Sequence, residues 1–309
     1  MKIIQIKNQN CFDNLVATIA ANEHKDYELM LSKSWGFDFN DSKESVGEKI
    51  HYSSKNDFYM LRKFHGIEVL YIEDKFNLDV HNQYCEYYEY IGAAIDTFKC
   101  PWDKSYKKYH NYGHSILVND VDFRKGKVYV VDPFYKKINE EIDLDMFCDS
   151  VCGIYLFKMH DDNKEVDDHL LYSKIIDRLK KTSSDIDKII LFRDYILKMN
   201  KQKEQGEMNN VWYYPIIVNI NKISLSRLRY IIMLKYFSRL YKIHIGLYIK
   251  ELEHAHFLWN FVRDMLVRFF VLNNDKYLGN VVCTLDTIKK EEKTTCLSLI
   301  DALLSHNSN

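Results

Sequence analysis

The chain's 309 residues are 47% hydrophobic and 28% charged, with only 10 Gly and 3 Pro, which excludes disordered, collagen-like and low-complexity classes and leaves room for two domains. Lys+Arg number 43 against 44 Asp+Glu, a formal charge of -1, so the basic excess on which sequence-independent nucleic-acid binding depends is missing. Seven cysteines lack paired spacing, the start MKIIQIKNQN puts Lys and Gln where a signal peptide is apolar, and no apolar run nears the ~20 residues of a membrane helix; a cytoplasmic protein with no membrane partner is expected.

Apolar Leu15, Val16, Ile19 and Ala20 recur at helical spacing, so a helix is expected to begin just after Cys11. Residues 35–39, 68–72 and 91–98 read as short strands, with helical material in 56–65 and 77–90. A hairpin follows: 114–121 and 127–131 are β-rich runs around Asp122-Phe123-Arg124-Lys125-Gly126, whose Gly suits the left-handed turn position. Residues 142–151 read as helix and 153–159 as a last strand. The charged run His160-Asp161-Asp162-Asn163-Lys164-Glu165 has no apolar anchor and divides the chain into domains 1–160 and 166–309. Beyond it, 166–181, 186–203, 224–241, 254–270 and 285–304 carry helical apolar spacing, with Asp185 and Ser224 as N-caps. The expected class is α+β, an antiparallel-sheet domain followed by a mostly helical one.

Cys11 at the start of the first helix is the sharpest chemical signal, because unpaired N–H groups and the positive dipole end favour a thiolate there. With the hairpin turn centred on Phe123, His114 faces Asp132 directly, close enough for the carboxylate to fix an imidazole tautomer. A solvated cross-strand ion pair is the plainer alternative. Gln5, or the nearer Gln9, is a candidate amide donor for an oxyanion hole together with the Cys11 N–H. Gln, Cys, His, Asp is the order of papain-like enzymes. Asp96, at a strand end, is placed against an amine in the cleft or in a strand-end hydrogen bond. No metal site is expected: His254 and His256, with Glu251 and Glu253 nearby, do not share a helix face, and Cys148 and Cys152 lack a second pair, so they read as core cysteines.

Asn10-Cys11-Phe12, Ala94-Ile95-Asp96-Thr97-Phe98 leading to Pro101-Trp102, Gly113-His114-Ser115-Ile116-Leu117-Val118 and Val128-Tyr129-Val130-Val131-Asp132-Pro133 together resemble the N-terminal domain of the butirosin biosynthesis protein H family, over residues 1 to 160. More distantly the pattern resembles the double-glycine leader peptidases of bacteriocin exporters. The length and helical second half are also similar to the cysteine-protease-like amide synthetases of closthioamide-type biosynthesis. The resemblance implies a papain-like fold with Cys11 as nucleophile, His114 as base and Asp132 as orienter. It further implies transfer of an acyl group from the phosphopantetheine thioester of an acyl or peptidyl carrier protein to a small amine or diamine, in the biosynthesis of a specialised antibiotic-like metabolite.

Such a thioester is already activated, so neither cofactor nor ATP is called for. The competing expectations are a cysteine hydrolase, peptidase or thioesterase, and a catalytically inactive carrier-binding module. Trp102, Trp212 and Tyr213 are candidate substrate-binding residues. The helical half, with Tyr214, Phe257, Trp259, Phe261, Phe269 and Phe270 besides, is expected to cover the cleft and exclude water, although most of these rings are expected to fill a core. Arg227, Arg229, Lys235, Arg239 and Lys242 read as a solvated basic helix face or a docking patch for an acidic carrier.

Overall fold

The computed structural model describes residues 1–52, 56–73, 75–161, 167–205 and 210–307; Asp162 to Glu165 of the charged linker, and Val166, lie outside them. The chain opens with α1 (Cys11–Asn22), β1 (Asp38–Phe39), α2 (Val46–Lys49), β2 (Ile50–His51), α3 (Phe58–His65), β3 (Ile67–Ile72), α4 (Leu78–Cys85) and β4 (Tyr90–Ile95). It continues through β5 (His114–Asp122), β6 (Lys127–Asp132), β7 (Lys137–Asp143), α5 (Leu144–Ser150) and β8 (Val151–Met159). Helices α6 (Asp168–Asp187), α7 (Ile189–Ile196), α8 (Lys201–Gln205), α9 (Pro215–Tyr241), α10 (Gly246–Leu272) and α11 (Lys276–Asn307) complete it. The class is α+β, antiparallel sheet followed by a helical part. Among the described residues no helix is long and apolar enough to cross a membrane.

Two compact units divide the chain, Met1–Leu29 with Phe58–Lys164 and Met30–Asp57 with Glu165–Asn309. The sequence reading of 1–160 as one continuous domain therefore needs correction, since residues 30–57 pack with the helices. The reason is a set of buried polar anchors in that unit. The Trp35 and Trp259 indole N–H groups both donate to Glu292, and Arg227 makes a bidentate pair with the same carboxylate through Nε (2.9 Å) and Nη2 (2.8 Å). The Glu204 carboxylate accepts the Val46 and Gly47 N–H groups at the start of α2, and buried Asp57 receives Ser32, Lys33 and Arg178. A Cβ on Gly47 would sit 2.1 Å from the Ile216 nitrogen, so only glycine permits that approach of α2 to α9.

Arg227 and Arg229 are thus buried, not part of a solvated basic face. Removing one member of a buried ion pair strands the other charge. Arg227→Met is expected to cost about 3–5 kcal/mol of unfolding free energy, measured by urea titration. Ser224 and Asp185, expected as N-caps, lie inside α9 and α6. The helix expected after Asp185 starts instead at Ile189, where Lys188 supplies no side-chain cap, and α9 starts with Pro215 in its first turn; Asp167 caps α6 by accepting the Leu170 N–H. Lys242 and Asn273, both left-handed, close α9 and α10.

In the first unit the sheet runs β3-β8-β4-β5-β6-β7, every pairing antiparallel. Helix α1 packs on one face, where Gly92 admits Leu15 to van der Waals contact. The other face carries Ile91, Ala93, Ile95, Ile116, Val128, Val130, Ile154 and Leu156, covered by Phe76 and Phe147. Strand β7, absent from the sequence reading, occupies 137–143, where 142–151 had read as helix; α5 begins only at Leu144, capped by Asp143.

Candidate active site

Helix α1 is fixed before it presents its first residue. Asn14, Thr18 and Asn22 stand four apart on one stripe and hydrogen-bond the backbones of Ile6, Ile4 and Lys2. Four helical residues rise about 6 Å and two extended ones slightly more, so each turn of helix meets alternate residues of the N-terminal segment. Asn10 caps the helix by accepting the Asp13 N–H at 2.7 Å. Cys11, half-buried, follows as the first helical residue, with its Sγ 3.8 Å from the Gly113 carbonyl oxygen.

The hairpin register differs from the one read in the sequence. The strands pair Asp122 with Lys127 across the Phe123 to Gly126 loop, Gly126 is left-handed, and a bulge at Asn119 precedes the Val118–Val130 and Leu117–Val131 pairs. Continued, that register sets Asp132 beside Ile116, two residues from His114. The pair is diagonal, not directly opposed, yet both residues keep the same face and the side chains meet, His114 Nε2 to Asp132 Oδ2 at 2.7 Å. Exposures of 8% for His114 and 0% for Asp132 exclude the solvated ion pair.

Asp132 is saturated with donors. Its Oδ1 accepts the Phe134 and Tyr135 N–H groups in the Asp-Pro turn, and its Oδ2 takes both His114 and the Trp102 indole N–H at 2.8 Å. Trp102, expected against substrate, therefore holds the orienting carboxylate. The Phe134 and Tyr135 rings lie 5.9 and 5.5 Å from the imidazole, and the Tyr135 hydroxyl donates to Asp103. With Nε2 committed to Asp132, Nδ1 is the nitrogen left for the thiol.

Burial works against ionisation of Cys11, but the hydrogen bond and charge of His114, followed by the Ser115 N–H and hydroxyl, outweigh it and lower the thiol pKa. Burial likewise opposes a charge on His114, and the Asp132 and Cys11 interactions override it, pushing the imidazole up to about 10. Both directions favour a thiolate–imidazolium pair. Burial raises the thiols of Cys85, Cys100, Cys148, Cys152 and Cys296, with Cys100 and Cys296 pushed up to about 12. Since the thiolate is the reacting species, iodoacetamide is expected to alkylate Cys11 at lower pH than any of these five thiols. Cys85 and Cys152 should react only as pH rises above 9. In His114→Ala the burial of Cys11 loses its main opposition, and its alkylation should shift to the same alkaline range, read by peptide mass mapping.

Gln5 is exposed, and its Nε2 donates to the Phe134 carbonyl at 2.5 Å, beside the Asp132 turn, with its second amide proton still to offer. Gln9 is buried, and its amide has no partner among the described residues. Asp96 holds no open carboxylate for an amine, because its oxygens accept Phe98 N–H, Asn111 N–H and His110 Nδ1. Trp212 and Tyr213 belong to the second unit, exposed on the short 3-10 turn Val211–Tyr213. There Tyr214, Trp259, Phe269 and Phe270 are core, while Phe257 and Phe261 are exposed. His254 pairs with Glu291 and His256 meets the Ser224 hydroxyl. Cys148 packs against the sheet core, whereas Cys152 is exposed, not core.

Sequence reasoning missed the roles of Ser115, Trp102 and the His110–Asp96 pair; the Asp-Pro turn was the available hint that the carboxylate would be held by backbone donors. No protein-family model matches the chain, and no curated protein is significantly similar to it.

Proposed function

We propose that the protein is a cysteine-dependent acyltransferase that forms amides, taking an acyl group from a carrier-protein thioester onto Cys11 and passing it to an amine. The observation that carries this reading is the Cys11–His114–Asp132 arrangement, a half-buried thiol beside a buried His–Asp pair, with a lowered thiol and a raised imidazole facing one another. The Cys11 thiolate attacks the thioester carbonyl, His114 protonates the departing donor thiol, and the amine then displaces Cys11. The Cys11 backbone N–H and the second Gln5 amide proton are the oxyanion donors in this reading; the Gln9 amide is too deeply buried to meet a substrate oxygen. A papain-like arrangement for the first unit accords with the helix-borne Cys and strand-borne His and Asp. The motif resemblance to the butirosin-type family favours an amine over water as acceptor.

Intact-mass analysis with an N-acetylcysteamine acyl thioester should show one acyl adduct on Cys11, discharged as amide when a diamine is added, with ping-pong kinetics. Free acid as the main product across a wide range of amines would replace this reading with a hydrolase. An intact protein that never forms the adduct would leave a carrier-binding module.

A further inference from the structure

A second His–Asp pair stands at the strand end that carries the triad. Asp96, 7% exposed, binds His110 Nδ1 through Oδ2 at 2.5 Å, while its Oδ1 accepts the Phe98 and Asn111 N–H groups at 3.1 and 3.0 Å. The carboxylate is fixed by backbone donors and the imidazole is fixed by the carboxylate. The His110 side chain is nonetheless 58% exposed. Its ring lies near-parallel to Phe98 (4.6 Å, 21°) and Tyr112 (5.7 Å, 8°). Nδ1 is spent on Asp96, so Nε2 is the nitrogen available to a ligand.

The pair is close to the nucleophile through the backbone. Ile95, immediately before Asp96, is the register partner of His114, and the Gly113 N–H donates to the Ile95 carbonyl at 3.2 Å. The Gly113 carbonyl faces Cys11 Sγ at 3.8 Å. Gly113 lies three positions after His110, at most about 11 Å of extended chain.

Resting on the acyl-transfer reading, we propose that His110, held by Asp96, is the base that takes the proton from the acceptor amine as it attacks acyl-Cys11. A second base leaves the first free for another task. His114, held on Asp132, regains from solvent the proton it gave to the donor thiol. With His110 taking the amine's proton, His114 stands as imidazolium beside the Cys11 thiolate that must leave. In the second step the C–N bond forms and the C–S bond breaks. The pair of electrons from C–S goes to Cys11 as thiolate, the amine proton goes to His110 Nε2, and His110 then releases it to solvent. The exposed Tyr112 ring offers a π face to an alkylammonium ion, which loses one proton to solvent before it attacks, so the acceptor class is a primary alkylamine.

The test uses the full chain, an N-acetylcysteamine acyl thioester and 1,3-diaminopropane, with rapid-quench intact mass to time adduct formation and decay separately. His110→Asn keeps a donor toward Asp96 but removes the base; His110→Ala removes both. Acylation of Cys11 is expected within about twofold of wild type in each, while amine-dependent decay falls about 100-fold and product shifts to free acid. Added imidazole should restore aminolysis to His110→Ala. Unchanged aminolysis in both variants would overturn the proposal and leave the acyltransferase reading standing. So would a parallel fall of acylation and aminolysis that imidazole does not restore, since that marks a purely structural role for His110. Absence of any adduct on the wild-type protein would remove the acyltransferase reading and this proposal together.

Discussion

Cys11→Ala is expected to abolish turnover and the acyl adduct together, a loss on the order of the 10^6 seen when a catalytic nucleophile is deleted, with the fold intact. The other five thiols of the first unit and the buried core do not share the activation of Cys11, and the exposed Cys283 belongs to the second unit. Cys100 and Cys296 are buried with thiols pushed up to about 12, and Cys85, Cys148 and Cys152 are raised by burial rather than lowered. The fold should survive because Cys11 is only half-buried, alanine is the best helix former, and the Asn10 cap and the Asn14, Thr18 and Asn22 bonds do not involve the thiol. His114 carries the second readout. The thiolate's hydrogen bond and charge help push the imidazole up, so without it the His114 titration should move to lower pH than in wild type, visible by NMR. A full acyl adduct on Cys11→Ala, or an unmoved His114 titration, would show that the thiol and the imidazole do not form the reacting pair.

How much of this was legible in the sequence depends on the range of the interaction. The start of α1 was readable because apolar spacing is local, and the His114–Asp132 contact was readable because strand side chains alternate. The bulge at Asn119 and the turn centred past Phe123 move the register by two residues, and a shift of two leaves both residues on their face. A shift of one would have separated them. Strand β7 was hidden because Lys137-Ile138-Asn139-Glu140-Glu141 carries the charges of an edge strand, which blunt its β signal. The assignment of 30–57 to the helical unit could not be read at all. It rests on bonds such as Trp35 to Glu292, 257 positions apart. The burial of Arg227 was invisible for the same reason: a basic residue at helical spacing looks solvated until its distant carboxylate is known. Trp102 was singled out, but its function as a donor to Asp132 required the fold to bring residues 30 apart together.

Asp132→Asn is expected to slow acylation by about 10^3 to 10^4, the range seen when a triad imidazole loses the carboxylate that fixes its tautomer. The geometry explains why an isosteric change should cost so much. Both carboxylate oxygens face donors, Phe134 and Tyr135 N–H on one side and Trp102 and His114 on the other, so whichever way the asparagine amide turns, its NH2 meets donors. Turned toward the backbone, it leaves the Asx turn unsatisfied; turned toward His114, it forces the imidazole to flip its proton onto Nδ1, where the thiol must bind. Trp102→Phe keeps the ring and removes one donor, with an expected loss of roughly 10- to 100-fold, the rate equivalent of about 1.5–3 kcal/mol for a hydrogen bond to a charged group. Because Trp102 acts on the chemistry only through Asp132, the double variant should be no slower than Asp132→Asn alone, and Asp132→Asn combined with His114→Ala no slower than His114→Ala. Stopped-flow acylation of the single and double variants decides it. If the Trp102 and Asp132 losses multiply, the indole must also touch the acyl group, and the role first assigned to Trp102 from the sequence would return beside the orienting one.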